Sequence, residues 1–396
     1  MRILKKALVV GGNSGIGLSI VLQLIDMNVK HIYIVGKDEV DIKDIPENYS
    51  TKFSEKVSFE KLNLINEEYD VFEKIRDVDG LIITAGFGRV APFEELTEAE
   101  ISNIIKCNEL GVIRIIKSYY DKIKSENDFY CAVMGSIAGH IASPLFSVYG
   151  ASKMGLCGFI ENINAELRAS KCVNRILDVS PGSIKGTKFN GGNNQIESTR
   201  VLAKEIIFQM IKREMLYIPD YDSVYGDVLR RYNENPIKFA DESYEYKVKS
   251  GRKNSKPQVV VGYLSGTFDL FHIGHLNLLK RAKQECDYLV VGVHKSGAWK
   301  GKETFISFEE RKEIVQSIKY VDKVIESFPE DCDAYDSIKY NKLFVGSDYK
   351  GSERFNKYEE YFSDKGVEIV YFPYTKGTSS TQLRKALTDI INPEKH

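Results

Sequence analysis

The chain has 396 residues, 43% hydrophobic and 28% charged, with a formal net charge of −1 at pH 7. This is ordinary composition for soluble globular protein and leaves room for two or three domains. The near-neutral balance excludes a global field favouring nucleic acid or anionic membrane, so any anionic substrate must be held by local groups. Apolar runs such as Tyr288 to Val293 are too short to span a bilayer, and Ala7 to Val10 stops at Gly11-Gly12, too short for a signal peptide. The six cysteines are scattered without a Cys-x-x-Cys and read as buried thiols in a reducing cytoplasm.

Leu4 to Val10 is an apolar run entering glycines, followed by a helical pattern through Leu18, Val21, Leu22 and Leu24. His31 to Val35 is β-rich. Leu81 to Thr84 ends at Ala85-Gly86, Tyr130 to Met134 at Gly135-Ser136, and Arg175 to Val179 at Pro181-Gly182, with helical patterns between. This alternation predicts an α/β fold, a Rossmann doubly wound parallel sheet over residues 1–235. Ligands bind such sheets beyond the carboxyl ends of the strands. Residues 236–257 are mostly polar and charged and read as a linker, with Tyr244 to Val248 as an alternative surface strand. A second α/β pattern starts at Val259-Val260-Val261 and gives a second Rossmann-like domain over 258–396. There is no internal repeat.

Gly11-Gly12-Asn13-Ser14-Gly15-Ile16-Gly17 follows the first strand and opens the first helix. Glycines there let the backbone approach a pyrophosphate resting on the helix N-terminus. Alone, this is a weak signal. Tyr149 and Lys153, four apart, share a helix face and place an ammonium beside a phenol. That charge is expected to lower the phenol from its usual pKa of about 10. Such a tyrosine can protonate a carbonyl oxygen as hydride reaches the carbon. Ser136 ends a strand and can hydrogen-bond the same oxygen.

Together these residues resemble the short-chain dehydrogenase/reductase family, across roughly residues 1–235. The resemblance implies Ser136, Tyr149 and Lys153 as the catalytic core, with Asn108 holding a water against the lysine. It implies cofactor contacts from Gly11, Asn13, Ser14, Gly15, Ile16, Gly17, Ala85 and Gly86, and a nicotinamide loop at Pro181, Gly182 and Thr187. Two positions depart from the pattern: Ile83-Thr84-Ala85-Gly86 replaces the usual Asn-Asn-Ala-Gly, and Asn63 replaces an aspartate near adenine. After the second strand comes Gly36-Lys37, where a base accepts a 2′-phosphate and an acid would bind the ribose diol. Lys37 therefore favours NADP(H), although Asp38 follows directly. Lys185 and Lys188 flank Thr187 as candidate contacts to a substrate phosphate.

The densest motif runs from Gly266 to His275: Gly-Thr-Phe-Asp-Leu-Phe-His-Ile-Gly-His. His272 and His275 lie in the first turn of a helix continuing through Leu276, Leu278, Leu279 and Ala282. They can donate to charge developing on a phosphoryl oxygen at a helix N-terminus. Metal coordination by this pair is disfavoured, because no Cys or acidic partner stands at ligand spacing; no protein metal site is read. Asp269 caps the helix or touches the nucleotide.

This half resembles the glycerol-3-phosphate cytidylyltransferase family, over about 258–387. The resemblance implies His272, His275, Lys300 and Lys302 as catalytic. It implies CTP contacts from Gly266, Thr267, Phe268, Asp269, His272, His275, Lys302, Arg311, Asp348, Thr378, Ser379, Ser380 and Thr381, with Mg²⁺ accompanying the nucleotide. Tyr374 stands where the family has an arginine. The near rival is an adenylyltransferase, sharing only the His-x-x-His core.

A reductase makes an alcohol, and a transferase of this type consumes a polyol phosphate. The joint expectation is a cytoplasmic bifunctional enzyme that reduces a sugar phosphate with NADPH. It then couples the alditol phosphate to CTP, with ribulose 5-phosphate to CDP-ribitol as the leading pair, for capsule or teichoic acid-like polymers. A monofunctional cytidylyltransferase with a reductase-like scaffold or sensor is the alternative. Both families commonly self-associate, so a homo-oligomer is expected, with small-molecule partners and neither nucleic acid nor membrane insertion.

Overall fold

The structure is a computed structural model that describes residues 4–66, 69–187, 189, 195–251, 259–297, 303–373 and 380–391. It divides into two compact units, Met1–Gln258 and Val259–His396.

The first unit is built on a seven-stranded parallel sheet. Its strands are β1 (Lys6–Val10), β2 (His31–Gly36), β3 (Val57–Lys61), β4 (Gly80–Ile83), β5 (Tyr130–Met134), β6 (Ile176–Val179) and β7 (Leu216–Tyr217), in the order β3-β2-β1-β4-β5-β6-β7. Successive side chains point to opposite faces. Ala7, Val9, Ile32, Ile34 and Ala132 enter one core, while Leu8, Val10, Leu81, Ile83 and Val133 enter the other. Both faces are covered by helices, which is why these strands read as unbroken apolar runs. The strand order reverses between β1 and β4, so their carboxyl ends open the crevice where such sheets bind ligands. Gly11 leaves β1 there, and Ala85-Gly86 leave β4.

The segment read as linker is largely structured. Gly226–Glu234 and Pro236–Lys249 are helices of the first unit. Asn235 caps the second by accepting from the Lys238 amide at 3.0 Å, and Pro236 takes the first helical position, where its missing N–H costs nothing. Phe239 and Lys247 are buried. Tyr244 to Val248 is helix, not surface strand. Asn-Pro followed by two buried positions, Phe239 and Lys247, about two turns apart is the available signal, and the surrounding charge obscures it. Residues 252–258 lie outside the described residues.

The second unit has a five-stranded parallel sheet. It comprises β8 (Val261–Gly266), β9 (Tyr288–Val293), β10 (Lys323–Glu326), β11 (Lys342–Gly346) and β12 (Glu368–Phe372), ordered β10-β9-β8-β11-β12. The reversal falls between β8 and β11, whose ends are Gly266 and Gly346. Both units are therefore α/β folds with Rossmann-type crossovers. Among the described residues, no helix is long and apolar enough to cross a membrane.

Candidate active sites

In the first unit the glycine turn is built for close approach. Gly11 has φ +84° and Gly15 φ +52°, where side chains are strained. A Cβ on Gly17 would stand 2.1 Å from the Gly11 carbonyl oxygen. Ser14 is the N-cap of helix Gly15–Asp26 but makes no side-chain cap bond, so it does not occupy the helix's first amides. Ile16 packs against the core, and Asn13 Oδ1 faces the Gly36 position. Thr84 explains its own departure: its hydroxyl donates to the carbonyls of Val10 and Gly11, both at 3.1 Å, and ties β4 to the glycine turn. Asn63 spends its Oδ1 on the Ile65 amide at 3.2 Å, shaping the turn after β3. Lys37 is exposed at the end of β2.

The proposed catalytic residues converge. The helix Ser147–Ala169 carries Tyr149 and Lys153, both buried. Lys153 Nζ donates to the Met134 carbonyl at 2.7 Å. Asn108, wholly buried in a π-helical turn over Lys106–Leu110, is anchored by the Phe87 main chain: it accepts from that amide at 3.0 Å and donates to that carbonyl at 2.8 Å. A Cβ on Gly86 would lie 3.1 Å from Asn108 Oδ1 and 3.5 Å from Lys153 Nζ, so these three groups meet. Ser136, two residues beyond the end of β5, accepts from the Ala138 amide at 3.2 Å and hydrogen-bonds Tyr149. Ile137 N–H donates to Pro181 O at 3.0 Å, which brings the Pro181-Gly182 loop beside Ser136. Thr187 is buried, 3.5 Å from where a Gly15 Cβ would be. Lys185 is exposed, and Lys188 lies outside the described residues.

The electrostatics differ from the expectation. Burial pushes the Tyr149 phenol up to about 12, and the hydrogen bond from Ser136 only partly offsets it. Burial also pulls Lys153 below its usual range. Desolvation thus outweighs the attraction that was expected to lower the phenol. A protonated Tyr149 is the form that donates a proton.

One residue that no motif announces joins this site. Lys247, from the helix Pro236–Lys249, donates to Ser143 Oγ at 2.7 Å and Pro144 O at 2.8 Å. Its ammonium lies 5.2 Å from the Phe146 ring, which packs on Tyr149 at 5.0 Å.

In the second unit the Gly266–His275 loop follows β8. Phe268 and Leu270 take positive φ, +53° and +49°, a strained conformation costing about 1–3 kcal/mol each. Gly266 leaves room for the Phe268 ring, 2.9 Å from a Cβ position. His272 is the N-cap of helix Ile273–Gln284, and its Nδ1 accepts from the Gly274 amide at 3.0 Å. That bond assigns the ring proton to Nε2, leaving a donor there. His275 stacks on it with centroids 4.0 Å apart. Burial lowers both imidazoles, His275 to about 4, and His275 Nδ1 is buried without a hydrogen-bond partner among the described residues. Asp348 is exposed beyond β11.

Asp269 and Arg311, both expected at the nucleotide, brace the loops of this site. Asp269 does not cap the helix. Its carboxylate accepts from the amides of Phe305 (3.1 Å) and Ile306 (2.9 Å) and from Arg384. Arg311 is wholly buried and donates to the carbonyls of Ile306 (3.0 Å), His294 (2.8 Å), Lys295 (2.9 Å) and Thr267. Its planar fork gathers the ends of β8 and β9 and the turn before helix Phe308–Gln316. Lys300, Lys302, Tyr374, Thr378 and Ser379 lie outside the described residues. Ser380 and Thr381 open helix Ser380–Ile391.

Comparisons with known proteins fall on the same two units. A short chain dehydrogenase model matches residues 5–198, and a cytidylyltransferase-like model matches residues 263–386. Glycerol-3-phosphate cytidylyltransferase of Bacillus subtilis (strain 168) is 39% identical over 129 residues, 32% of this chain and 95% of that protein. Retinol dehydrogenase 8 of Homo sapiens is 27% identical over 193 residues, 47% of this chain and 61% of that one, so the chain spans about three fifths of that relative. A short-chain dehydrogenase structure from Streptomyces avermitilis has a TM-score of 0.49 at 19% identity, covering 62% of this chain and 99% of that one. The chain is thus a two-domain enzyme, with a short-chain dehydrogenase oxidoreductase domain followed by a cytidylyltransferase domain that places it in the glycerol-3-phosphate cytidylyltransferase family.

Proposed function

We propose that the first unit reduces a ketose or aldose phosphate with NADPH and that the second couples the resulting alditol phosphate to CTP. The products are a CDP-alditol and pyrophosphate. The observation that carries this reading is the convergence of Ser136, Tyr149, Lys153 and Asn108 at one strand-end crevice, in the same chain as the paired His272 and His275. An inert scaffold does not require that convergence. Ribulose 5-phosphate to CDP-ribitol is the leading pair, and supply of activated polyol to capsule or teichoic acid-like polymers the setting. The enzyme is proposed to act in the cytoplasm as a homo-oligomer, its first domain running through the helix Pro236–Lys249 and its second over 259–396.

The residues present fit a dinucleotide. The positive-φ glycines and the uncapped start of helix Gly15–Asp26 form a cradle for pyrophosphate. Lys37 favours the 2′-phosphate of NADP(H), which supplies hydride when bound. Tyr149 donates the proton to the carbonyl oxygen, Ser136 holds that oxygen, and Lys153 stands beside the phenol with Asn108 holding a water against the lysine.

In the second unit the alditol phosphate attacks the α-phosphorus of CTP and pyrophosphate leaves, with no covalent enzyme intermediate. His272 Nε2–H and neutral His275 donate to the developing charge. Lys300 and Lys302 are proposed to hold phosphates, with Thr378, Ser379, Ser380 and Thr381 at the triphosphate and Asp348 near the ribose. Asp269 and Arg311 position this loop. Among the described residues, the second unit presents no cluster of His, Cys, Asp and Glu able to hold a metal. Mg²⁺ is proposed to arrive with the triphosphate.

Incubation with CTP, NADPH, Mg²⁺ and a panel of sugar phosphates, with the nucleotide product identified by mass, tests the reading. If CTP turns over on supplied alditol phosphate while no carbonyl phosphate is reduced, the scaffold alternative holds instead.

A further inference from the structure

Next to Ser136 lies a polar cluster that the chemistry above does not use. Asp178, on β6, is 4% exposed. Burying a carboxylate is costly unless it is hydrogen-bonded and paired. Ser180 Oγ donates to Asp178 Oδ1 at 2.7 Å, and His140 Nε2 lies 3.4 Å from Oδ2. The same Ser180 hydroxyl is 3.0 Å from His140 Nε2 and 3.8 Å from Cys157 Sγ, and it accepts from the Ser136 amide at 3.2 Å.

His140, Cys157 and Asp178 have donor atoms within 4.8 Å of one another, which suits a metal cage. The Ser180 hydroxyl argues against one, because it already bridges all three and also holds the Ser136 main chain. The packing leaves no slack around this hydroxyl. A Cβ on Gly135 would meet Asp178 Oδ1 at 2.2 Å and Ser180 Oγ at 2.6 Å, and one on Gly139 would meet Cys157 Sγ at 2.6 Å. Gly135, just before Ser136, and Gly139, three residues after it, therefore let the cluster press against the strand end that presents Ser136.

The cluster also bears on Lys153. The titratable groups around that ammonium are Tyr149 and Cys157 on its own helix, Cys107 from the π-helical turn and Asp178 from β6, with His140 beside Asp178. Burial opposes the charge on Lys153, and Asp178 is the carboxylate that supports it. Cys157 stays a neutral thiol, because burial pushes it up to about 12.

We propose that Asp178, linked through Ser180 to the main chain of Ser136 and flanked by His140, is a positioning residue of the reductase site: it fixes the strand end that carries both Ser136 and the Met134 carbonyl to which Lys153 donates. This rests on the reductase reading of the first unit.

The test compares the full-length chain with Asp178→Asn and Ser180→Ala. It measures NADPH binding by nucleotide fluorescence, and reduction of the best sugar phosphate in the panel, across pH 6–10. Asp178→Asn keeps the shape and removes the charge. Its alkaline limb, in binding and in kcat, is expected to move about one pH unit toward acid. At neutral pH kcat is expected to fall about tenfold, with a smaller change in KM. Ser180→Ala keeps the charge; its kcat is expected to fall several-fold with the limb unmoved. CTP-dependent transfer is expected to be unchanged in both. A folded Asp178→Asn chain with the wild-type limb overturns the proposal, and so does a Ser180→Ala chain with wild-type kcat, should the asparagine variant not fold. A wild type that reduces no sugar phosphate counts against the substrate reading alone, since the limb in NADPH binding still decides this one.

Discussion

Tyr149 and Lys153 show burial competing with charge at a single pair of residues. Their four-residue spacing was legible because a helix fixes it locally. The balance of their electrostatics was not, because it depends on how deeply the fold buries both. With the phenol raised to about 12, Tyr149→Phe removes the proton donor. It is expected to reduce carbonyl turnover at least a hundredfold while leaving CTP-dependent transfer on supplied alditol phosphate intact; two coupled assays on one preparation check this. His275→Ala is expected to slow transfer by about two orders of magnitude, as for loss of a transition-state donor. Steady-state rates at saturating CTP decide it, and an unchanged rate would remove His275 from the chemistry. His275 also gives a pH signature. Its folded pKa, about 4, lies below the ordinary 6.5, so the unfolded chain takes up the proton first. Its contribution to stability is present above pH 6.5 and is lost as pH falls toward 4. Replacing His275 with Gln is expected to flatten the acid side of the stability curve in that window, read by urea titration at several pH values.

At the scale of elements, the strand ends and glycine turns were readable because each is a run of neighbours in sequence. The contacts that complete the sites are not. Asp269 meets Arg384 across 115 positions, and Lys247 meets Ser143 across 104. Only the folded chain brings them together, so the bracing by Asp269 and Arg311 is not legible in the sequence. The helix Pro236–Lys249 was missed for a related reason: its buried side chains, Phe239 and Lys247, are too few to show a stripe through the charges. Two substitutions probe these elements. Gly17→Ala puts a methyl 2.1 Å from the Gly11 oxygen and is expected to abolish NADPH binding, measured by nucleotide fluorescence, without touching CTP turnover. Arg311→Lys replaces a fork bridging four carbonyls with a point donor. It is expected to destabilise the second unit by about 2–4 kcal/mol and to raise KM for CTP, because buried carbonyls lose partners.

At the scale of the whole molecule, two parallel sheets, each with its own core and its own strand-order reversal, account for two active sites in one chain. Fold class was legible throughout, since alternating apolar runs and helical patterns are what a covered parallel sheet requires. The substrates are set by side chains at loops, where pattern carries least information. Ligands that bind only the native state raise its stability. NADPH is therefore expected to raise the melting transition of the first unit and CTP that of the second, in calorimetry on the intact chain. The central claim is that one polypeptide performs both steps in sequence. The most direct measurement supplies ribulose 5-phosphate, NADPH, CTP and Mg²⁺ to the purified chain and follows NADPH oxidation alongside the mass of the nucleotide product. The account predicts a CDP-pentitol formed one for one with NADPH consumed. Full CDP-alditol synthesis from supplied alditol phosphate, with no NADPH consumed on any sugar phosphate tried, would contradict it.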